Sequence, residues 1–488
     1  MTVEQRGPSS FIPEDEGPEG DVLLMPGLPD APVSELPETG RGIVNRVLAL
    51  SIPVVIEQSL LYLVGLSDTL LAGRYLSEEY LAGVTVSSYL LWVVGSLLTI
   101  VSVGSTALVA RLTGGGDRSA AARICQQAIG LALALGTVIF IVGSLAAPGI
   151  VGAMNLTGVS AGAAVLFLRI VLVVTPLVAC TAAGVACLRG AGDTKTGMWV
   201  MILVNVVNIT MSWTLVRGAG PFPKLGFAGI AAGTAFAEAI GGVVVLAILA
   251  RGRSGLTLSW RGMAPRRAPI VRILRISLPA AGESLSTSGC QLWFLSLINR
   301  LGSTATAAHG VAIRCEALAF LTVTGFAVAA STLTGQYLGA GRPDLARRSA
   351  RAAWGIGLIG LAAIGIWLFV EAEWFFDLFL GGNKPRVMAE GVPVLRIVAF
   401  AMPALATINV LNGVLRGAGD TRWPWAFVFF GYLGVRMPLT YWLITPTASH
   451  GLGLGLQGAW LAMLFDLCTR GVLVAWRFLQ GGWQHVKV

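Results

Sequence analysis

Twelve apolar runs, none shorter than 21 residues, follow one another between residues 47 and 480. They fall near 47–72, 81–110, 121–148, 160–187, 196–216, 226–250, 270–298, 304–337, 350–376, 391–415, 424–446 and 456–480. A helix that crosses a bilayer needs roughly 20 apolar residues, so every run is long enough to span. The runs are continuous rather than alternating, which argues against a porin-like barrel. Composition agrees. Only 12% of the residues are charged, against roughly 25% in soluble domains, and the mean hydropathy is +0.76. The expected fold class is an all-α integral membrane protein with twelve transmembrane helices.

The basic residues fix an orientation. With the N-terminus in the cytoplasm, the inside segments hold 22 Lys and Arg and the outside loops hold 6. Short loops rich in Lys and Arg stay on the cytoplasmic side, so both termini are expected there, in the cytoplasmic membrane. The same asymmetry accounts for much of the net charge of +9, and no nucleic-acid partner is needed to explain it. Residues 1–40 carry nine acids, one base (Arg6) and seven prolines. That composition reads as a disordered, solvated extension, dispensable for whatever the spans do. It lacks the basic and apolar regions of a signal peptide. The six cysteines lie in or beside apolar runs without CxxC spacing and read as packing residues. The three histidines are scattered, so no metal site and no cofactor is expected.

The chain repeats itself. LRIVLVVTPLVACTAAGVACLRGAGDT from Leu168 matches LRIVAFAMPALATINVLNGVLRGAGDT from Leu395 at 13 of 27 positions. Upstream, Pro53, Glu57, Arg74 and Ser105-Thr106 match Pro279, Glu283, Arg300 and Ser331-Thr332. Each unit holds six spans. An even number gives both halves the same orientation, related by an axis along the membrane normal, which is a transporter architecture. The expected divisions are an N-lobe over 41–250, a basic linker over 251–269 and a C-lobe over 270–488. The glycines of LRGAGDT (Gly190, Gly192, Gly417 and Gly419) are expected to permit tight turns, with Asp193 and Asp420 capping the helices that follow.

Several stretches resemble the multidrug and toxic compound extrusion (MATE) family. They are IPVVIEQSLLYLVGLSDTLLAGR in the first run, the doubled LRGAGDT, LGFAGIAAGTAFAE and LGLQGAWLAMLFD in the sixth and twelfth runs, and AAHGVAIRCEALAF around His309. The likeness covers 41–488. It implies two six-helix lobes in a V and export of organic, drug-like and mainly cationic or amphipathic compounds, coupled to inward H+ or Na+. The implied protein is a monomeric antiporter with small-molecule substrates. The rival reading is a flippase for a lipid-linked precursor, which would present cavity-facing cations such as Arg314 and Arg436. A membrane-embedded enzyme would need a clustered nucleophile, metal or acid–base set, and none is evident.

An ionisable group at membrane depth is a functional candidate by default. Six acids fall well inside apolar runs: Glu57, Asp68, Glu238, Glu283, Glu316 and Asp466. Glu57 and Asp68 lie eleven residues apart and therefore share a helix face. Asp68 also matches the family's first-helix acid, fifteen residues after a proline. By the same resemblance Asn208 and Thr234 neighbour that acid. Ser212 stands where one branch of the family carries a second acid. Asp68, Asn208, Ser212 and Thr234 form the expected cation site, with Glu57, Glu238 or Glu283 as further charge. The sodium-coupled branch's seventh-helix glutamate falls at Thr287, one turn from Glu283, and its tenth-helix acid falls at Leu405. Asp466 and Arg470, at i and i+4, are expected to form an internal ion pair. Trp293, Phe294 and Tyr432 are candidates to line an apolar substrate cavity.

Overall fold

No water is available at membrane depth to satisfy backbone N–H and C=O groups, so apolar runs of this length close their hydrogen bonds internally as helices. The computed structural model describes residues 36–154, 156–219, 222–380, 384–446 and 451–486. Most of the acidic tail therefore lies outside the described residues. The N-terminal half holds α1 (Gly40–Tyr75), α2 (Glu78–Gly114), α3 (Arg118–Ala153), α4 (Gly158–Val173), α5 (Thr175–Gly190), α6 (Lys195–Arg217) and α7 (Phe227–Ala250). The C-terminal half holds α8 (Arg267–Arg300), α9 (Ser303–Gly339), α10 (Pro343–Val370), α11 (Ala372–Leu380), α12 (Pro385–Ala418), α13 (Arg422–Phe430), α14 (Met437–Ile444) and α15 (Gly455–Gln480).

Ten helical stretches are long and apolar enough to cross a membrane, and α4 with α5 makes an eleventh, bent by 55°. The twelfth span is α8, which is 34 residues long but polar along its middle, with Ser277, Glu283, Ser284, Ser286, Thr287 and Ser288. Two departures from straight helices were not legible in the runs. Span 4 breaks at Val174, just before Pro176, whose missing N–H and ring disfavour a continuous helix. Span 11 carries a π-helical turn, Gly431–Arg436, between α13 and α14.

The two halves form one unit. Their mutual hydrogen bonds, among the described residues, run from mid-span to the end that carries the linker. Ser96 meets Ser288 at 3.4 Å, and the Gly104 N–H donates to Ser277 Oγ at 2.8 Å. Thr332 donates to the Arg189 carbonyl and Gln336 to the Gly190 carbonyl, both at 3.0 Å. At that same end Gly114 backs onto the Gln336 carbonyl and Gly339 onto the Arg111 carbonyl, so closely that no side chain fits at either glycine. Beyond Ser96 and Ser288 no interlobe hydrogen bond is made among the described residues. The two lobes thus meet at one end of the membrane span, as a V does at its apex.

The repeated LRGAGDT turns use their glycines unequally. Gly192 and Gly419 have φ of +92° and +87°, the left-handed conformation that favours glycine. Gly190 and Gly417 turn nothing. They are contact points, because a Cβ on Gly190 would lie 2.7 Å from the Thr106 carbonyl, and one on Gly417 would meet the Ser331 carbonyl. Asp193 caps α6, accepting from the Thr196 N–H at 3.1 Å. Asp420 instead binds Arg477 at 2.8 Å. Contacts to the membrane helices also begin earlier than residue 41. Tyr337 donates to the Pro37 carbonyl at 2.7 Å, Arg342 pairs with Glu38 at 2.7 Å, and Thr39 caps α1.

Candidate functional site

Three helices of the N-lobe bring polar side chains to one point. Asp68 on α1 is 4% exposed, Asn208 and Ser212 on α6 are 0%, and Thr234 on α7 is 6%. Asn208 and Ser212 share a face because they are one turn apart. Thr234 Oγ1 donates to Asp68 Oδ2 at 2.7 Å, and Asn208 Nδ2 donates to Asp68 Oδ1 at 3.3 Å. Asn208 Nδ2 also reaches Thr234 Oγ1 at 2.9 Å and Ser212 Oγ at 3.5 Å. Ser67, absent from the expected set, donates to Asn208 Oδ1 at 2.8 Å. It orients the amide so that its nitrogen faces the carboxylate. Gly233 is needed for this closeness, because a Cβ there would meet Ser212 Oγ. The group therefore presents one carboxylate and hydroxyl oxygens, hard ligands suited to a proton or a small cation, with the amide turned so that its N–H groups face the carboxylate.

Glu238, one turn beyond Thr234 on α7, is half-buried and within electrostatic reach of Asp68. Among the described residues it makes no hydrogen bond or ion pair. Two acids thus share this part of the N-lobe without a basic partner.

The other expected charges are engaged elsewhere. Glu57 binds Arg189 at 2.7 Å and Glu283 binds Arg416 at 2.8 Å, with Asn412 donating to Glu283 at 3.2 Å. Glu57 and Glu283 therefore do not join Asp68. Each neutralises the arginine of one LRGAGDT copy. The signal that reveals this was in the repeat, which duplicates the acid and the arginine together. Each motif's aspartate takes a second arginine, Asp193 with Arg253 at 3.0 Å and Asp420 with Arg477. Both halves thus carry matched ion pairs, from the first span to the arginine of LRGAGDT and from the aspartate of LRGAGDT to an arginine at or just beyond the end of the sixth span.

In the C-lobe, Asp466 accepts both guanidinium forks. Arg470 binds it in bidentate fashion at 2.8 Å and 2.8 Å, and Arg436 reaches it at 2.9 Å. The i,i+4 pair read from the sequence is present, but Arg436 makes it a trio. Gly431 abuts Asp466 and Arg470, and the π turn carries Arg436 inward to them. Arg436, at 2% exposure, is thus a buried structural cation and not the cavity-facing charge that a flippase would present. Arg314 is exposed. Two of the aromatic cavity candidates are corrected as well. Phe294 is 0% and Tyr432 4% exposed. Tyr432 is clasped by Arg436 and Arg470 at 4.9 Å and 4.6 Å from its ring, and Phe294 packs against His309 and Trp460. Only Trp293 remains half-exposed, against Tyr441. Among the described residues no group of three or more His, Cys, Asp or Glu side chains is placed to hold a metal.

Comparison with known proteins gives this arrangement its context. The MatE family model matches residues 53–214 and 279–442, one match in each half. A probable multidrug resistance protein NorM of Thermotoga maritima is 30% identical over 457 residues, covering 94% of this chain and 96% of the relative. The uncharacterized transporter YisQ of Bacillus subtilis is 26% identical over 90% of this chain and 94% of its own. Among solved structures, an outward-facing multidrug resistance MATE family transporter of the MOP superfamily superposes with a TM-score of 0.83 at 21% identity, over 92% of this chain and 97% of that one. A MOP superfamily transporter from Pyrococcus furiosus gives 0.83 at 22% identity, over 93% and 99%. The matched halves, the repeated turns and the twelve spans agree: the chain belongs to the MatE family of membrane transporters.

Proposed function

We propose that the protein is a secondary active multidrug exporter, an antiporter that couples the outward movement of amphipathic organic compounds to inward movement of a cation at Asp68. One observation carries the reading. Five acids are fully buried among the described residues, and four hold an arginine: Glu57, Glu283, Asp420 and Asp466. Asp68 has hydroxyl and amide partners only. An unpaired carboxylate in a low-dielectric interior is costly, and a bound proton or cation relieves that cost. Ser212 in place of a second acid favours the proton, because a sodium cage gains less from one carboxylate than from two. The multidrug resistance names of NorM relatives support the substrate class.

Coupling requires only that cation and drug favour different conformations. Asp68 and Glu57 lie on one helix. A change at Asp68 is thus carried along α1 to the Glu57–Arg189 pair, whose backbone carbonyl receives Thr332 of the opposite lobe. In cells expressing the protein, ethidium efflux is expected to exceed that of control cells and to collapse with the proton gradient, with sodium present or absent. Efflux no faster than in control cells would overturn the reading. The orientation is tested separately. Reporter fusions at Leu258 are expected in the cytoplasm and fusions near Lys384 outside, and the reverse at both sites refutes it.

A further inference from the structure

A cavity of about 570 Å³ lies at the linker end of the N-lobe, outside the Asp68 group. Its walls are the start of α3, the linker and the first turns of α8, and they include Arg123, Arg261, Arg266 and Arg272. Among the described residues no acidic side chain lines it. Asp117, which caps α3 through the Ala120 N–H at 2.8 Å, lies beside the set and within electrostatic reach of Arg123. The volume is in the range of small-molecule sites, roughly 300–1,000 Å³.

The walls are built, not draped. Gln127 is 2% exposed and holds the linker by three hydrogen bonds. Its Nε2 donates to the Gly262 and Ala264 carbonyls at 2.6 Å each, and its Oε1 accepts from the Arg266 N–H at 2.7 Å. Gln126 Nε2 donates to the Thr257 carbonyl at 2.9 Å. Gly130 lets the Met263 carbonyl close onto α3, since a Cβ there would lie 2.6 Å from it. The linker is thereby fixed so that its arginines share one space. The first N–H groups of α8 open at the same place with no side-chain cap, a setting that favours an anion.

A second observation points to the source of that anion. Trp260, next to Arg261 in the linker, is 84% exposed. Both its chain neighbours, Ser259 and Arg261, line the cavity beside the starts of α3 and α8, the ends that the proposed orientation places at the cytoplasmic interface. Tryptophan at that level anchors in the headgroup layer, and basic pockets between the ends of membrane helices receive phosphate headgroups. We propose that this arginine-lined cavity binds the phosphate of an anionic phospholipid, with Trp260 set in the surrounding headgroups. Its walls come from both halves of the chain, so a bound headgroup bridges the N-lobe to the first turn of the C-lobe.

The test uses the purified full-length protein and phosphatidylglycerol as the probe, with phosphatidylcholine as the neutral control. Lipid retained through detergent exchange is counted by native mass spectrometry. Wild type is expected to retain phosphatidylglycerol in preference to phosphatidylcholine. An Arg261→Gln/Arg266→Gln variant is expected to bind it about thirty-fold more weakly, at about 1 kcal/mol for each basic side chain near the surface. Trp260→Ala is expected to weaken retention as well. Unfolding curves in phosphatidylcholine establish that the variants are folded. Equal retention by wild type and the double variant, or no preference over phosphatidylcholine, overturns the site. Binding of inorganic pyrophosphate without retained phosphatidylglycerol overturns the lipid as its occupant.

Discussion

Asp68→Asn is expected to insert and fold at wild-type abundance and to lose gradient-driven export. The substitution keeps the volume and leaves polar partners for Thr234 and Asn208, which now bond the carboxylate at 2.7 Å and 3.3 Å. Among the described residues it removes the one fully buried acid that no arginine neutralises, and with it the charge that a proton or cation would bind. The variant is fixed in a state resembling the protonated one, so substrate binding persists while its release no longer responds to the gradient. Export should fall about 5- to 150-fold, the range that coupling free energies span. The measurement is ethidium efflux at matched membrane abundance, with a collapsed-gradient control. Wild-type efflux from Asp68→Asn would move the coupling role to Glu238. Glu283→Gln serves as a contrast. It frees Arg416, so its defect should appear in stability and should leave the ion dependence of the remaining efflux unchanged.

That contrast shows what the sequence carried and what it did not. Eleven spans were legible because hydrophobic length determines them, whereas α8, polar along its middle, falls short of that test. The two-fold relation was legible because LRGAGDT occurs twice. The grouping of Asp68 with Asn208 and Thr234 came from family likeness. No spacing rule brings together residues 140 and 166 positions apart. The partners of Glu57 and Glu283 were missed by treating each acid singly, although the repeat displays both acids and both arginines. Other features were not in the sequence signal at all. Pro176 and Pro403 are repeat mates, yet span 4 bends by 55° while Pro403 lies inside an unbroken α12. Proline permits a break, and the packing around it decides whether one forms. The π turn at Gly431–Arg436 follows the same logic. It is set by tertiary partners, since Gly431 must clear Asp466 and Arg436 must reach it.

The C-lobe trio leads to the second large expectation, which concerns stability rather than transport. Asp466 is 0% exposed and is the hydrogen-bonding partner of two guanidinium groups that are themselves 2% and 6% exposed. Asp466→Asn leaves both arginines buried beside a neutral amide. Their other partners are aromatic faces, chiefly Tyr432 at 4.9 Å and 4.6 Å, worth about 2 kcal/mol or more each when desolvated, and the Cys290 thiol beside Arg436; none of these replaces a carboxylate. Breaking a buried ion pair by removing one partner costs about 3–5 kcal/mol, and here one carboxylate serves two cations. The variant should therefore unfold at clearly lower denaturant concentration in detergent or nanodiscs. Removing all three charges tests the cause. Arg436→Met, Asp466→Leu and Arg470→Met together leave no uncompensated charge and nearly conserve volume, so the combined variant should recover most of the lost stability, as replacement of whole buried ion clusters does elsewhere. If Asp466→Asn unfolds like wild type, the trio does not stabilise the C-lobe. If the triple variant is no better than the single one, the loss lies in the π turn and its packing and not in unpaired charge.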